Sequence, residues 1–210
     1  QVTKRLYEVK LSGKKIIAIS PSSLVEEKSS SAKVDYTELL LQMISACSQK
    51  DVHFVIFPNA SRERSKKKRN NDIPVIERLR AAAELDLPMP LYRRITWVAY
   101  DLNTAGIDEI VRRADVLVTS RFHAMVFGLR LCVPTLVIGW GHKYLEAMQR
   151  FGLEAYVFDY RSADHDLGET LASMLGRSED LRQGMLPHLE GVKTSSERQF
   201  EYLRSLINES

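Results

Sequence analysis

The sequence predicts an α/β fold, a Rossmann-like, doubly wound parallel sheet of about six strands with helices on both faces. Three observations predict it. Short, continuous apolar runs recur along the chain, as in strands that are buried on both faces of a parallel sheet. Segments with apolar residues at helical spacing alternate with these runs. The connections between them are short, which favours right-handed crossovers from strand to helix to strand.

Length and composition limit the classes of protein to which the chain can belong. It has 210 residues, of which 44% are hydrophobic and 27% charged, and we expect one domain over residues 1–210. A formal net charge of +3 is too small to favour nucleic acid as a partner. The chain has no apolar run long enough to span a bilayer and no signal-peptide pattern, so we expect a cytoplasmic protein, at most peripheral to the inner face of the membrane.

The predicted strands are short and follow one another at regular intervals. Their ranges are 15–20, 52–57, 95–100, 116–118, 135–140 and 155–160. Residues 1–13 mix charge with isolated apolar side chains and are interpreted as a lead-in segment. The stretch 26–33 is polar and rich in serine, which favours a loop.

Capping residues mark the helices between these strands. Asp35 and Glu38 form a capping-box pattern, Asp72 stands at a helix start, and Thr104 is placed to be an N-cap. From about residue 178 the chain is predicted to form one or two terminal helices. Two cysteines fall within apolar helical stripes and are expected to be buried thiols rather than a disulfide; they are Cys47 and Cys132.

The most informative stretch, 114–125, runs from the fourth strand directly into a helix. Ser120 is placed to be the N-cap, which would leave the backbone N–H groups of Arg121, Phe122 and His123 unpaired at the positive end of the helix dipole. Such an end binds anions. A guanidinium and an imidazole stand on the same first turn, so a phosphate or carboxylate would meet backbone donors, a fixed charge and a titratable group together.

Other interpretations of this turn stay open at the level of sequence, since Arg121 could cap a neighbouring element and His123 could be a buried core residue. The expected strand order 3-2-1-4-5-6 favours a ligand site, because strands one and four are then neighbours at the switch point. The loops 20–23 and 120–123 would share one crevice there, with the loop 139–143 alongside.

Several familiar site motifs are missing from the sequence. A Gly-x-Gly-x-x-Gly or Walker loop does not follow the first strand, which argues against a tightly cradled dinucleotide or triphosphate. A Gly-x-Ser-x-Gly elbow is also missing. The 5 histidines lack the spacing of metal ligands, so we expect no metal. The basic run 62–69 is interpreted as a solvated loop, the alternative being a patch that attracts phosphate or an acidic polymer.

The segment Asp-Val-Leu-Val-Thr-Ser-Arg-Phe-His-Ala at 115–124, then Leu-Cys-Val-Pro-Thr-Leu-Val-Ile at 131–138 and an aromatic-x-x-Lys at 140–143, resembles the C-terminal half of the polysaccharide pyruvyl transferases. The resemblance is strongest over 107–160. It implies one half of a two-domain architecture like that of the B-type (GT-B) glycosyltransferases, with the site in the cleft between domains. The chain begins at Gln1, and we expect it to be part of something longer, without the N-terminal domain that helps to bind the acceptor.

The resemblance also implies the reaction and the roles of residues. The donor would be phosphoenolpyruvate, with no further cofactor, and the acceptor a sugar of a cell-surface polysaccharide that receives a pyruvate ketal. Arg121 would bind the donor's carboxylate or phosphate, Phe122 would shape its pocket, His123 would be the essential acid or base, and Lys143 would hold a phosphate. Arg121 and His123 are thus the catalytic candidates. The substrate-binding candidates are Ser22, Ser23, Ser120, Arg121, Phe122, His123 and Lys143.

Two other functions stay open. Many members of the family have an arginine just after the first strand of this domain, where this chain has Pro21-Ser22-Ser23. This departure favours a non-catalytic relative that acts as an interaction module. The other alternative is the nucleotide-sugar half of a GT-B glycosyltransferase, which shares the fold and an anion-binding turn after the fourth strand. The nearest acidic residue that could hold a ribose is Glu146, which is more typical of a surface position.

Overall fold

A computed structural model of the chain describes residues 2–61, 70–161 and 166–208. The basic run 62–69 and His165 therefore lie outside the described residues. Within them, six parallel strands form one sheet in the order β3-β2-β1-β4-β5-β6. The strands are β1 (Lys15–Ser20), β2 (Val52–Ile56), β3 (Ile95–Trp97), β4 (Val116–Thr119), β5 (Thr135–Ile138) and β6 (Val157–Phe158). The doubly wound prediction is confirmed, and β1 pairs with β4 at the switch point.

Helices connect and cover the strands. They are α1 (Val2–Leu11), α2 (Ser23–Ser31), α3 (Tyr36–Ala46), α4 (Ile73–Asp86), α5 (Met89–Tyr92), α6 (Thr104–Arg113), α7 (Phe122–Arg130), α8 (His142–Gln149), α9 (Leu167–Gly176) and α10 (Ser178–Asn208). The C-terminal part is thus a single helix, with Pro187 inside it. In the three described ranges, none of these helices combines the length and the hydropathy that crossing a membrane requires.

Successive residues of the central strands pack on opposite faces of the sheet. Ile17 and Phe54 lie in the core cluster that α3, α4 and α9 cover, whereas Ile16 and Val55 lie in the cluster that α1 and α6 cover. All four side chains are fully buried. Because both faces are covered, the strands have the continuous apolar sequences that we used to predict them. A third cluster joins α7, α8 and α10 beside β5.

The prediction of a loop over 26–33 is wrong, because α2 covers most of it. Ser22 is the N-cap of this helix, and its hydroxyl accepts a hydrogen bond from the Val25 N–H at 3.4 Å. Val25 and Ser29 are buried, and the Ser29 hydroxyl donates to the carbonyl of Glu26. Burial of one face stabilises a helix that the composition does not favour, and the bond to the Glu26 carbonyl leaves the buried Ser29 hydroxyl satisfied.

The prediction that residues 1–13 form an irregular lead-in segment is also wrong. Its residues form α1, whose Leu6 is fully buried in the core cluster beside β1 and α6. The ammonium of Lys10 pairs with the carboxylate of Asp115 at 2.5 Å, which fixes the helix against the start of β4. The apolar residues of α1 do recur at helical spacing, but the charged residues between them obscure the pattern.

Several element boundaries differ from the predicted ones, while the capping at α3 is confirmed. The third strand ends at Trp97, and the sixth has only two residues, Val157–Phe158. The N-cap of α6 is Asn103 rather than Thr104, and its side-chain oxygen accepts from the Gly106 N–H at 2.8 Å. Asparagine and threonine are both good N-caps, so the sequence alone does not show which of these two neighbouring residues caps the helix.

The cysteines are confirmed as buried thiols. Cys47 and Cys132 are both free and buried, and burial raises the pKa of the Cys47 thiol to about 11. Neither thiol is therefore poised to act as a nucleophile.

The stability of the fold is expected to fall below neutral pH because of His53 in β2. This side chain is 5% exposed, and its Nε2 lies 2.8 Å from the Thr96 hydroxyl. Burial, helped by the charges of Arg5 and Lys14, lowers its pKa from 6.5 to about 4. Between these values the unfolded chain binds a proton that the native chain does not, so stability is complete above the higher value and declines toward the lower one.

The loss is at most about 3 kcal/mol. Urea unfolding between pH 7 and 4 measures it, with His53→Gln as the comparison. The variant is expected to flatten the pH dependence, and an unchanged slope would show that His53 is not its source.

Candidate functional site

The turn from β4 to α7 lies at the carboxyl edge of the sheet, at the switch point. The Ser120 N–H donates to the carbonyl of Ser20 at 3.2 Å, and the Arg121 N–H donates to the Thr119 hydroxyl at 2.9 Å. Arg121 is the N-cap of α7 and has extended backbone. Among the described residues its side chain makes no capping bond, so the N-cap residue itself does not satisfy the first-turn amides of α7.

The prediction that Ser120 caps α7 is wrong. Its side chain is 2% exposed and turns into the fold, where its hydroxyl lies 2.7 Å from the hydroxyl of Tyr36 on α3. Burial raises the pKa of Tyr36 well above its ordinary value, so this phenol stays neutral and available for the bond. A substrate-binding role for Ser120 stays a prediction.

The guanidinium of Arg121 pairs with the carboxylate of Asp72, a residue that was predicted only to mark the start of a helix. Asp72, just before α4, has no exposed side-chain surface, and the side chain of Arg121 is 17% exposed. Nε of Arg121 lies 3.1 and 3.0 Å from the two carboxylate oxygens, and Nη2 forms an ion pair with Oδ1. The same carboxylate accepts from the Ser23 N–H at 3.0 Å and the Ala60 N–H at 2.9 Å.

The loops after β1 and β4 meet as predicted. The hydroxyl of Ser23 lies 3.2 Å from Nη2 of Arg121 and 3.2 Å from Asp72. The hydroxyl of Ser22 is buried as the N-cap of α2. The carboxylate of Asp72 balances the charge of Arg121. Any net positive charge where the loops after β1 and β4 meet must therefore come from other groups.

His123 and Lys143 are exposed, and both contact the ring of the half-buried Phe122. The ammonium of Lys143 lies 4.7 Å from the centre of the Phe122 ring, within the range of a cation–π contact. The imidazole of His123 meets the same ring edge-on, with 6.2 Å between the ring centres. Tyr144 packs on Phe122 at 5.7 Å, and its hydroxyl donates to the Ser120 carbonyl at 3.2 Å.

The N-terminus of helix α8 lies beside the N-terminus of α7. It begins at His142, and its N-cap is Gly141, which has no side chain with which to cap the amides. The contact between Tyr144 and Ser120 holds this end of α8 beside the start of α7. Two helix N-termini, an ammonium and an imidazole therefore lie close together around Phe122, a set of groups suited to binding a small anion.

The structure also places the residues considered for other sites. Glu146 is exposed, as its surface assignment predicted. Within the described ranges, the structure contains no cluster of three or more His, Cys, Asp or Glu side chains that could hold a metal ion. Asp72 and Tyr36, which contact Arg121 and Ser120 from inside the fold, were not among the predicted site residues.

The fold is shared with glycosyltransferases of the GT-B architecture. An α,α-trehalose-phosphate synthase (UDP-forming) from Burkholderia vietnamiensis superposes with a TM-score of 0.59 and 13% identity, covering 98% of this chain and 46% of that one. The glycosyltransferase SnogD from Streptomyces nogalater gives 0.50 and 14%, covering 85% and 37%. These identities show the fold alone. The chain spans less than half the length of these proteins.

Sequence comparison identifies the family. No curated protein matches the sequence. The model of the polysaccharide pyruvyl transferase family matches residues 5–142, a range that includes Arg121, Phe122 and His123 and ends one residue before Lys143. Since this match spans more than half of the chain, the protein belongs to the polysaccharide pyruvyl transferase family.

Proposed function

We propose that this chain is the donor-binding half of a pyruvyl transferase, which moves a pyruvyl group from phosphoenolpyruvate to a sugar of a cell-surface polysaccharide and forms a pyruvate ketal. The observation that carries the proposal is the placement of His123 and Lys143 around Phe122, where the N-termini of α7 and α8 lie side by side. Family membership supports polysaccharide as the class of acceptor. The other half of the GT-B architecture would help to bind that acceptor.

Phosphoenolpyruvate is a small polyanion with a phosphate and a carboxylate, and the site offers donors for both. The ammonium of Lys143 and the first-turn amides of α7 and α8 are the groups that attract the anion. Arg121 contributes less net charge than its sequence position suggests, because Asp72 neutralises it. Its main contribution is to hold the start of α7 in place.

The chemistry requires proton transfer at carbon. Protonation of C3 of phosphoenolpyruvate converts the methylene into a methyl group and leaves an oxocarbenium-like C2. A sugar hydroxyl attacks C2, the bond from C2 to the phosphate oxygen breaks, and a second hydroxyl closes the ketal. Of the two hydroxyl protons, one replaces the proton given to C3 and the other goes to the departing phosphate. An exposed imidazole such as that of His123 can give the first proton and accept one of the others, which typically accelerates such steps about 100-fold to 10,000-fold.

Lys143→Ala is expected to weaken the binding of phosphoenolpyruvate about tenfold, because a charge-assisted bond is lost. The lysine is exposed, so the variant should fold normally. Isothermal titration calorimetry of the 210-residue chain measures the affinity. Lys4→Ala, which removes an exposed lysine from α1, is the matched control and should bind as the unaltered chain does.

Uridine diphosphate in place of phosphoenolpyruvate separates the competing functions. Binding of the nucleotide without binding of phosphoenolpyruvate would overturn the proposal in favour of a glycosyltransferase. Binding of neither would favour a non-catalytic interaction module.

A further inference from the structure

We propose that Asp72 is a positioning residue of the donor site, which fixes Arg121 and, through it, the start of α7 that carries His123. The identity of the bound anion rests on the proposed function, but the positioning itself does not. Asp72 lies 49 residues from Arg121 in the sequence, and the fold alone brings the two together.

The carboxylate of Asp72 joins three segments at the carboxyl edge of the sheet. It accepts from Ser23 after β1, from Ala60 after β2 and from Arg121 after β4. A fully buried carboxylate is costly unless such donors surround it. The two-point contact with Arg121 also fixes the plane of the guanidinium, which a single contact would leave free to rotate.

The backbone of Arg121 is tied at both ends, so its side chain and α7 are coupled. Its N–H donates to the Thr119 hydroxyl at 2.9 Å, and its carbonyl accepts from the Met125 N–H at 3.0 Å, within the first turn of α7. Release of the guanidinium would therefore loosen the turn that presents His123. A more mobile turn would have to be ordered when the donor binds, so the affinity for the donor should fall.

Simple electrostatics predicts the opposite effect on affinity. A negative charge near an anion site repels the anion, so removing it should by itself strengthen binding. The sign of the change in affinity therefore distinguishes positioning from a purely electrostatic role, and the local pattern of hydrogen exchange distinguishes it from a general loss of stability.

Asp72→Asn tests the proposal, since asparagine removes the charge and the two-point contact while keeping the size of the side chain and one acceptor oxygen, for either the Ser23 or the Ala60 amide. Hydrogen exchange, measured without ligand, should be at least tenfold faster for the Arg121 and Met125 amides and the Arg121 Nε proton. Leu171→Ala, which truncates a fully buried side chain of α9, is the control for general loss of stability and should not reproduce this local pattern. Equal acceleration in both variants, or none at these protons, would overturn the proposal.

Calorimetry supplies the functional arm of the test. The affinity of folded Asp72→Asn for phosphoenolpyruvate should fall at least tenfold, and an equal or higher affinity would refute positioning. If the unaltered chain does not bind phosphoenolpyruvate, the proposed function fails, while the exchange data still decide the role of Asp72. If Asp72→Asn does not fold, Arg121→Lys, which keeps the charge but loses the two-point contact, should show the same faster exchange at the backbone amides of positions 121 and 125.

Discussion

Replacing Arg121 with alanine is expected to lower the free energy of unfolding by about 3–5 kcal/mol. The substitution leaves the carboxylate of Asp72 charged and fully buried, with only the donors of Ser23 and Ala60 to offset the loss of hydration. Guanidinium chloride unfolding followed by circular dichroism measures the change. Loss of ligand protection in this variant would therefore not by itself show that Arg121 contacts the donor.

Arg161→Ala is the matched control, because Arg161 forms an ion pair with Asp159 in which the two side chains are 54% and 36% exposed. Pairs of this kind contribute at most about 1 kcal/mol. A double variant, Asp72→Ala with Arg121→Ala, should be less destabilised than the two single losses added together. If Arg121→Ala costs no more than Arg161→Ala, the buried pair does not stabilise the fold.

Replacing Gly128 with alanine is expected to cost about 3 kcal/mol, at the upper end of the usual range for overpacking. A Cβ at this position of α7 would lie 2.2 Å from Oγ1 of Thr135 and 2.9 Å from Cδ2 of Leu117. Thr135 is held by its own bond to the carbonyl of Val133 at 2.8 Å. The helix would therefore have to move away from the sheet, and the start of α7 would move with it.

Gly184→Ala in α10 is the control, because a Cβ there meets nothing within 4 Å. Alanine should instead stabilise that helix by up to about 1 kcal/mol. Adding Thr135→Ala to Gly128→Ala should restore part of the lost stability, since the closest clash disappears. Equal tolerance of alanine at both glycines would contradict the close packing of α7 on the sheet.

The sheet could be predicted from sequence because its signals are local and repeated. Each central strand is a continuous apolar run, and each crossover is short, so the doubly wound order is the common solution for such a chain. The meeting of the loops after β1 and β4 follows from that order. The position of His123 beside this edge also follows from the sequence, since it lies in the first turn of a predicted helix, whereas Lys143 was named from the family resemblance. Their roles at the site stay predictions.

The internal supports of the site could not be predicted, because they depend on long-range contacts. Asp72 is separated from Arg121 by 49 residues, and Tyr36 from Ser120 by 84. Local chemistry is equally consistent with a capping role for Asp72 and Ser120. Only the packing of α3 and α4 against the end of β4 turns these side chains inward.

Nuclear magnetic resonance of the ¹⁵N-labelled chain, titrated with phosphoenolpyruvate, is the most direct test of an anion site at the adjacent N-termini of α7 and α8. The amide signals of Phe122, His123, His142 and Lys143 are predicted to shift in a saturable manner, with the same dissociation constant. The absence of saturable shifts at these amides, or shifts confined to the amino edge of the sheet, would contradict the proposed donor site.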